Sequence, residues 1–244
     1  MNKYKRVMLK VTGESLLGRR EYGIDPLAAA KLAEKIKKIH QLGVEIAIVI
    51  GGGNIFRGIA GSKNGIDRAT ADYMGMMATV MNGMALEDAL GKASVPVRLQ
   101  SALTMPAVAE SYLRKKAIRH LEKGRVVILS AGTGNPYVTT DTGAALHALE
   151  LHCDVLMKAT KVDGVYDKDP QQFANAKLYQ TLEYKDVLGL HKLEIMDSAA
   201  LAMAQENNLV IQVFDLFADD NLFKAVKGEP IGTVIANNIV TKFA

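Results

Sequence analysis

The run Val44-Glu-Ile-Ala-Ile-Val-Ile50 is apolar and largely β-branched. It stops at Gly51-Gly-Gly53, after which Asn54-Ile-Phe-Arg57-Gly58 turns polar. Such a run suits a strand buried on both faces, as in a parallel sheet. The glycines open backbone conformations closed to other residues and let a ligand approach bare N–H groups. Arg57 adds a planar cationic fork for a phosphate or carboxylate. The stretch reads either as an anion site at the end of a central strand or as a tight turn beside a solvated arginine.

The rest of the chain repeats the pattern. Arg6–Lys10 reads as a strand that ends in lysine and opens into Thr12-Gly13-Glu14-Ser15. Asp25-Pro26 is a helix start, and the helix runs to about Gln41 with Leu27, Leu32, Ile36 and Ile39 near helical spacing. Residues 66–90 read as a long helix carrying Tyr73, Met76 or Met77, Val80 and Met84, a stripe suited to a core or a subunit interface. Val95–Leu99 and Arg125–Ser130 read as strands, with a basic amphipathic helix from about Val108 to Leu121 between them. Ala131–Asp141 is a second glycine-bearing loop; Thr139 or Thr140 can cap the helix 141–151, whose free N–H groups favour an anion. Asp141 in that first turn is alternatively a plain dipole stabiliser. Asp154–Lys158 is another strand ending in lysine, before a loop with the turn signals Asp163-Gly164 and Asp169-Pro170. Residues 184–188 and 194–207 read as helices, and 210–214 and 232–236 as late strands.

Strands alternating with helices predict one α/β unit, a three-layer αβα sandwich around a mostly parallel sheet. Ligands of such sheets bind at the carboxyl ends of strands, so four polar loops should share one rim. A length of 244 residues suits such a unit.

Other chemistries are disfavoured. There is no Gly-x-Ser-x-Gly, no complete Gly-x-Gly-x-x-Gly, and Gly18 is followed by Arg19 rather than the Lys-Ser/Thr of a P-loop. The five histidines and one cysteine form no metal-ligand spacing. Net charge is +4, but the basic clusters alternate with acids and there is no Trp, so a nucleic-acid surface is not expected. Cys153 reads as a small buried filler, and no signal peptide or membrane-spanning run is visible, so the expected location is cytoplasmic. What remains is two strand-end lysines, an arginine, glycine loops and an Asp at a helix start. That set fits phosphoryl transfer, which asks for positioning and charge neutralisation. Lys10 and Lys158 would neutralise phosphates, Asp141 would hold both lysines, and N–H groups of Gly51–Gly53 would meet phosphoryl oxygens.

Six stretches in order carry a closer resemblance: Lys10-Val-Thr-Gly-Glu14, Val49–Gly58, Met74–Gly83, Val126–Pro136, Thr139-Thr-Asp141 and Lys158–Tyr166. Together they resemble the bacterial uridylate (UMP) kinases of the amino acid kinase superfamily, over essentially the whole chain. The resemblance implies transfer of the γ-phosphoryl group of ATP to UMP, with Mg²⁺ accompanying ATP and no metal site of the protein's own. It implies a single domain over 1–244, with roughly 1–150 on the phosphate-acceptor side and 151–244 on the ATP side. It places Lys10, Asp141, Lys158 and Arg57 at the chemistry. ATP would meet Lys10, Val11, Thr12, Gly13, Gly53, Arg57, Thr160, Tyr166 and Asp169. UMP would meet Gly52, Asp72 and the loop Thr133, Gly134, Asn135, Pro136, Tyr137, Val138, Thr139 and Thr140. It also implies a homohexamer, UTP inhibition at the UMP site, and GTP activation through the loop Gly18–Gly23. A storage or sensor protein that binds nucleotides or anions on the same fold is the competing expectation.

Overall fold

The computed structural model describes residues 2–57, 65–189 and 195–244; Gly58 and Glu194 lie outside them. In chain order the elements are β1 (Arg6–Val11), a 3₁₀ turn (Gly13–Leu16), α1 (Pro26–His40), β2 (Glu45–Ile50), α2 (Arg68–Lys92), β3 (Val97–Ser101), β4 (Glu110–Ser111), α3 (Arg114–Glu122), β5 (Val126–Ser130), α4 (Thr140–Glu150), β6 (Val155–Thr160), β7 (Tyr179–Glu183), α5 (Tyr184–Gly189), α6 (Ser198–Glu206), β8 (Val210–Asp215), α7 (Asn221–Lys227), β9 (Thr233–Ala236) and β10 (Lys242–Phe243).

The strands form one sheet in the order β10-β7-β9-β8-β6-β1-β2-β5-β3-β4. Its stretch from β8 to β4 is parallel throughout; β9 runs antiparallel to β8, and β10 antiparallel to β7. Side-chain alternation sends Val7, Leu9, Val11 and Met157 into one core with α1, α2 and α7. Met8, Val49 and Leu156 enter the other, with α3, α4, α5 and α6. The three-layer αβα arrangement is therefore observed.

Helix starts follow their caps. Asp25 accepts from Leu27 N at 2.9 Å with Pro26 in the first position. Thr139 accepts from the N–H groups of Asp141 and Thr142 and caps α4.

Some expectations need correction. The helix expected from Val108 begins only at Arg114, because Glu110 and Ser111 pair with Gln100 and Ser101 as β4. Leu27 keeps helical spacing but is exposed, since it lies in α1's first turn beyond the edge of the core. The methionine stripe divides: Met76 and Val80 are buried, whereas Tyr73, Met77, Met81 and Met84 form an exposed face. β7, β10 and α7 had no sequence reading; all three are short, with β7 and β10 at one edge of the sheet and α7 packed against α1.

Candidate active site

The sheet sets the site. β1 connects through α1 to β2 on one side, while β6 lies on its other side and leads on toward β8. The strand order reverses between β1 and β6, which is where open α/β sheets leave a crevice beyond the strand ends. Lys10 and Lys158 are directly paired across this junction. Period-two alternation places both on the α4 face, and Asp141 stands in the first turn of α4.

Asp141 Oδ2 accepts from Lys158 Nζ at 3.0 Å. Lys10 Nζ lies 2.9 Å from Oδ1 but off the hydrogen-bonding direction, a charge contact rather than an aligned bond. All three side chains are at most 16% exposed. Burial pushes the Asp141 carboxyl up, but Lys10 and Lys158 together overcome it and hold it below its ordinary value. Lys158 is lowered, because burial outweighs the support of Asp141. Lys158 also donates to the Ile195 carbonyl, which fixes its reach.

A second carboxylate lies on the same rim with a similar retinue. Glu14, in the 3₁₀ turn after β1, contacts Arg57 Nη2 and, at 2.7 Å, Lys161 Nζ. The bond from Lys161 leads the causes that lower its pKa. Arg57 and Lys161 are both more than half exposed. Arg57 is thus directed to Glu14 and not to Asp141. Glu14 and Lys161 belong to stretches noted in the sequence without a role of their own. Nothing in the linear order marked them as a pair, because they are joined only by the packing of β1 beside β6.

The glycine turn corrects its sequence reading. None of Gly51, Gly52 and Gly53 has positive φ. Gly51 N donates to Val11 O at 2.9 Å, so that N–H is already engaged. Gly52 is required by packing: a Cβ there would meet Gly75 O at 2.7 Å and Ala78 Cβ at 2.9 Å on α2. Gly13 is similar, with Asn54 Oδ1 at 2.2 Å. Gly53 alone faces open space apart from the Arg57 side chain. Below the turn, Asn54 and Asn82 exchange amide bonds at 2.9 and 2.7 Å, and Asn82 also donates to Gly51 O. Asn82 was missed in the sequence; its only signal was an amide on the buried face of an apolar helix. Val11's side chain is wholly buried, leaving only backbone for the rim, and Thr12 precedes the 3₁₀ turn.

The loop after β5 meets α2 and α4. Ala131 N donates to Thr79 Oγ1 at 2.7 Å, and Tyr137 N to Asp72 Oδ2 at 2.8 Å. Asp72 is also paired with Arg68 at 2.8 Å, whose guanidinium lies 5.5 Å from the Tyr137 ring centre. Thr133 and Asn135 form a local turn, and Pro136, Tyr137 and Val138 follow on the surface. Asp72 and the 133–140 loop, 61 or more positions apart in sequence, are therefore brought together. Asp197, at the start of α6, accepts from Thr139 and Thr142 hydroxyls and ties the α4 start in place. It too was missed.

Across β6 lies a cleft of about 160 Å³ lined by Lys158, Thr160, Tyr166 and Asp169 among others. Tyr166 donates to Asp163 at 2.7 Å and, through burial and that carboxylate, is pushed up to about 12. A larger groove of about 310 Å³ lies between α1 and α7. Its cations are already engaged: Lys38 pairs with Asp220 at 3.0 Å and Lys35 donates to Leu216 O at 2.6 Å.

A family model described as the amino acid kinase family matches residues 5–215. The chain belongs to the amino acid kinase family. Among solved structures, UMP kinase from Bacillus anthracis is 36% identical with TM-score 0.95, covering 99% of both chains. UMP kinase from Ureaplasma parvum is 34% identical with TM-score 0.90, covering 96% of this chain and 100% of its own. Uridylate kinase from Archaeoglobus fulgidus is 28% identical with TM-score 0.72, covering 94% and 99%.

Proposed function

We infer that the chain is a UMP kinase, transferring the γ-phosphoryl group of ATP to UMP and releasing ADP and UDP. The observation that carries this reading is the buried Lys10–Asp141–Lys158 unit at the reversal of strand order, between the β6 cleft and the β5 loop. The similarity to UMP kinases over nearly the whole chain supports it.

An oxygen of the UMP phosphate forms a bond to the γ-phosphorus as the bond to the bridging oxygen of ADP breaks. Lys10 and Lys158 neutralise charge on the transferring group and on ADP. Asp141 orients the two ammonium groups. It is not a general base: both its oxygens face cations, its pKa is depressed, and an ionised phosphate has no proton to give up. Val11, Thr12, Gly13, Gly53 and Arg57 serve the ATP phosphates, and Thr160, Tyr166 and Asp169 its nucleoside. Gly52, Asp72 and Thr133–Thr140 serve UMP. The acceptor side and the ATP-phosphate residues up to Arg57 thus fall roughly within 1–150, and the ATP nucleoside side within 151–244.

Mg²⁺ enters with ATP in this reading. Asp141 and Glu14 each already contact two cations, and among the described residues no three His, Cys, Asp or Glu gather into a metal-holding group. Phosphates and water supply its oxygens. The exposed Tyr73–Met77–Met81–Met84 face of α2 supports assembly, which we place at a homohexamer. UTP inhibits by sharing the uridine contacts. The hydrogen bonds between Gly23 and Asn54 join the Gly18–Gly23 loop to the glycine turn, a route for GTP activation. Cys153 is buried, with its thiol pushed up to about 12; a single cysteine, which leaves no intrachain disulfide, supports a cytoplasmic setting. No described helix is long and apolar enough to cross a membrane.

The test is ADP release with Mg·ATP and, in parallel, UMP, CMP, dUMP, acetylglutamate and carbamate. Turnover with UMP alone is expected. ATP binding without turnover on any acceptor would move the chain to storage or sensing.

A further inference from the structure

We infer that Thr233, in the late strand β9, is a positioning residue for the ATP nucleoside: its hydroxyl pins the loop after β6 so that Tyr166 faces the cleft. The inference rests on the reading of Thr160, Tyr166 and Asp169 as the nucleoside side of the site.

The loop depends on outside support. Residues 161–178 run from β6 to β7, and their one β-bridge joins Tyr166 to Leu178. A connection of this length takes its position from what it is tied to. Its two limbs meet where Tyr179 N donates to Val165 O at 2.8 Å. Thr233 closes the other side of that crossing. Val165 N donates to Thr233 Oγ1 at 2.8 Å, and the Thr233 hydroxyl donates to Tyr179 O. Chemistry fixes both directions: a backbone N–H only donates, a carbonyl only accepts, and a hydroxyl does both. Thr233 is wholly buried, so water does not compete for either bond.

The backbone around the contact leaves no room for it to slip. A Cβ on Gly164 would meet Thr233 Oγ1 at 2.6 Å and Leu178 Cδ1 at 2.7 Å, well inside contact distance. Gly232 has φ 63°, and a Cβ there would meet Val213 O at 2.0 Å. A side chain at either glycine would drive the loop and β9 apart.

The place of the contact in the sheet gives it a function. Val213 pairs with Lys158 on one side and with Thr233 on the other. These three residues form one row across β6, β8 and β9. Lys158, Gly164, Val165, Tyr166 and Val213 line the cleft, whereas Thr233 stands behind it and acts through Val165. Tyr166 follows Val165 directly, and its hydroxyl bond to Asp163 closes the turn around Gly164. Thr233 thus sets Tyr166 against the row that carries Lys158, which fixes the nucleoside contact relative to the ammonium that meets the phosphates. Both Gly232 and Thr233 lie beyond the residues 5–215 that the family model matches.

The experiment uses the full chain and calorimetric Kd values for ATP and for UMP, each measured alone. Thr233→Val keeps the shape and removes the hydroxyl. Its ATP Kd should weaken by about fivefold, the size of one net hydrogen bond, with the UMP Kd unchanged. Thr233→Ser should restore ATP affinity. Wild-type Kd values in Thr233→Val, or equal weakening of ATP and UMP, would overturn the inference, because a merely structural hydroxyl predicts no split between the two nucleotides. Tyr166→Ala tests the underlying reading. If it leaves the ATP Kd unchanged, the nucleoside reading falls and the inference with it. If it weakens ATP while Thr233→Val does not, the inference alone falls. ATP binding is read without turnover, so a failure to phosphorylate UMP leaves this test intact. Amide hydrogen exchange covers the case in which Thr233→Val does not fold. In the wild type the Val165 amide should exchange at least about tenfold more slowly than that of Lys168, and more slowly still with ATP but not with UMP. A Val165 amide that exchanges as fast as Lys168 in the presence of ATP would overturn the inference.

Discussion

Asp141 and Glu14 sit on one rim, each contacting two cations, yet they occupy opposite environments. The arms of Asp141 are lysines locked under α4, at 11% and 12% exposure, and both lie inside their strands, since β1 runs on to Val11 and β6 to Thr160 rather than ending at the lysines as expected. Those of Glu14 are an arginine and a lysine at 64% and 57%. A buried carboxylate cannot release its cations without leaving charges unpaired in a poorly solvated place, so the arrangement is fixed before substrate arrives. An exposed one can exchange partners with an incoming phosphate at little cost, because water and salt already weaken its pairs. The first unit therefore suits transition-state charge and the second suits substrate capture.

The largest expected effect is at the buried unit. Asp141→Asn keeps the shape but lowers kcat by about 10²–10³, the range for losing a preorganised electrostatic contact. A fall of less than about tenfold, or about 1.4 kcal/mol of barrier, would break the assignment. Circular dichroism of the variant separates this from loss of fold.

Next comes the alkaline limb of kcat. Lys158 has its pKa lowered by burial, so it loses its proton at a lower pH than the ordinary 10.5. Activity should therefore decline below pH 10.5, and earlier still in Asp141→Asn, where the supporting charge is gone. An unshifted limb in both proteins would remove Lys158 from the step that limits kcat.

Asp72→Ala should raise the UMP KM several-fold more than the ATP KM. Asp72 holds the Tyr137 N–H of the β5 loop, and losing a bond to a charged group is worth about tenfold. Equal changes in both constants would detach it from the acceptor side.

The smallest effect belongs to Glu14→Gln. Its kcat should change by less than about threefold, while the ATP KM becomes more salt-sensitive because Arg57 and Lys161 are freed. Its stability effect has a definite sign. The folded pKa of Glu14 lies below 4.5, so its contribution is present above that value and is lost as pH falls through the lowered one. Urea unfolding of wild type and variant should thus converge in acid. A kcat loss matching that of Asp141→Asn would erase the contrast between the two carboxylates.

The alternation of apolar runs and helix starts was readable because burial on both faces of a parallel strand leaves a continuous signal along the chain. Asp25-Pro26 and the Thr139-Thr140 pair, of which Thr139 is the cap, marked helix starts for an equally local reason, since a cap bonds residues two or three positions ahead. β4 was misread as helix because its pairing with β3 comes from elsewhere in the chain. The glycine turn had the right residues for a reason the chain order could not give: Gly52 is glycine because α2 crosses it at contact distance. Lys10 and Lys158 stood out as charges at the ends of apolar runs and Asp141 as an acid at a helix start, and the phosphoryl-transfer reading grouped them. That they meet depends on β1 and β6 being neighbours and on α4 covering their shared face. The Glu14 pairings exist only in three dimensions, because the state of a charge is defined by what surrounds it. The sequence by itself determined which segments are buried, where helices begin and which residues can carry charge. The tertiary structure decided which charges are paired and buried, and which stay exposed and free to exchange partners.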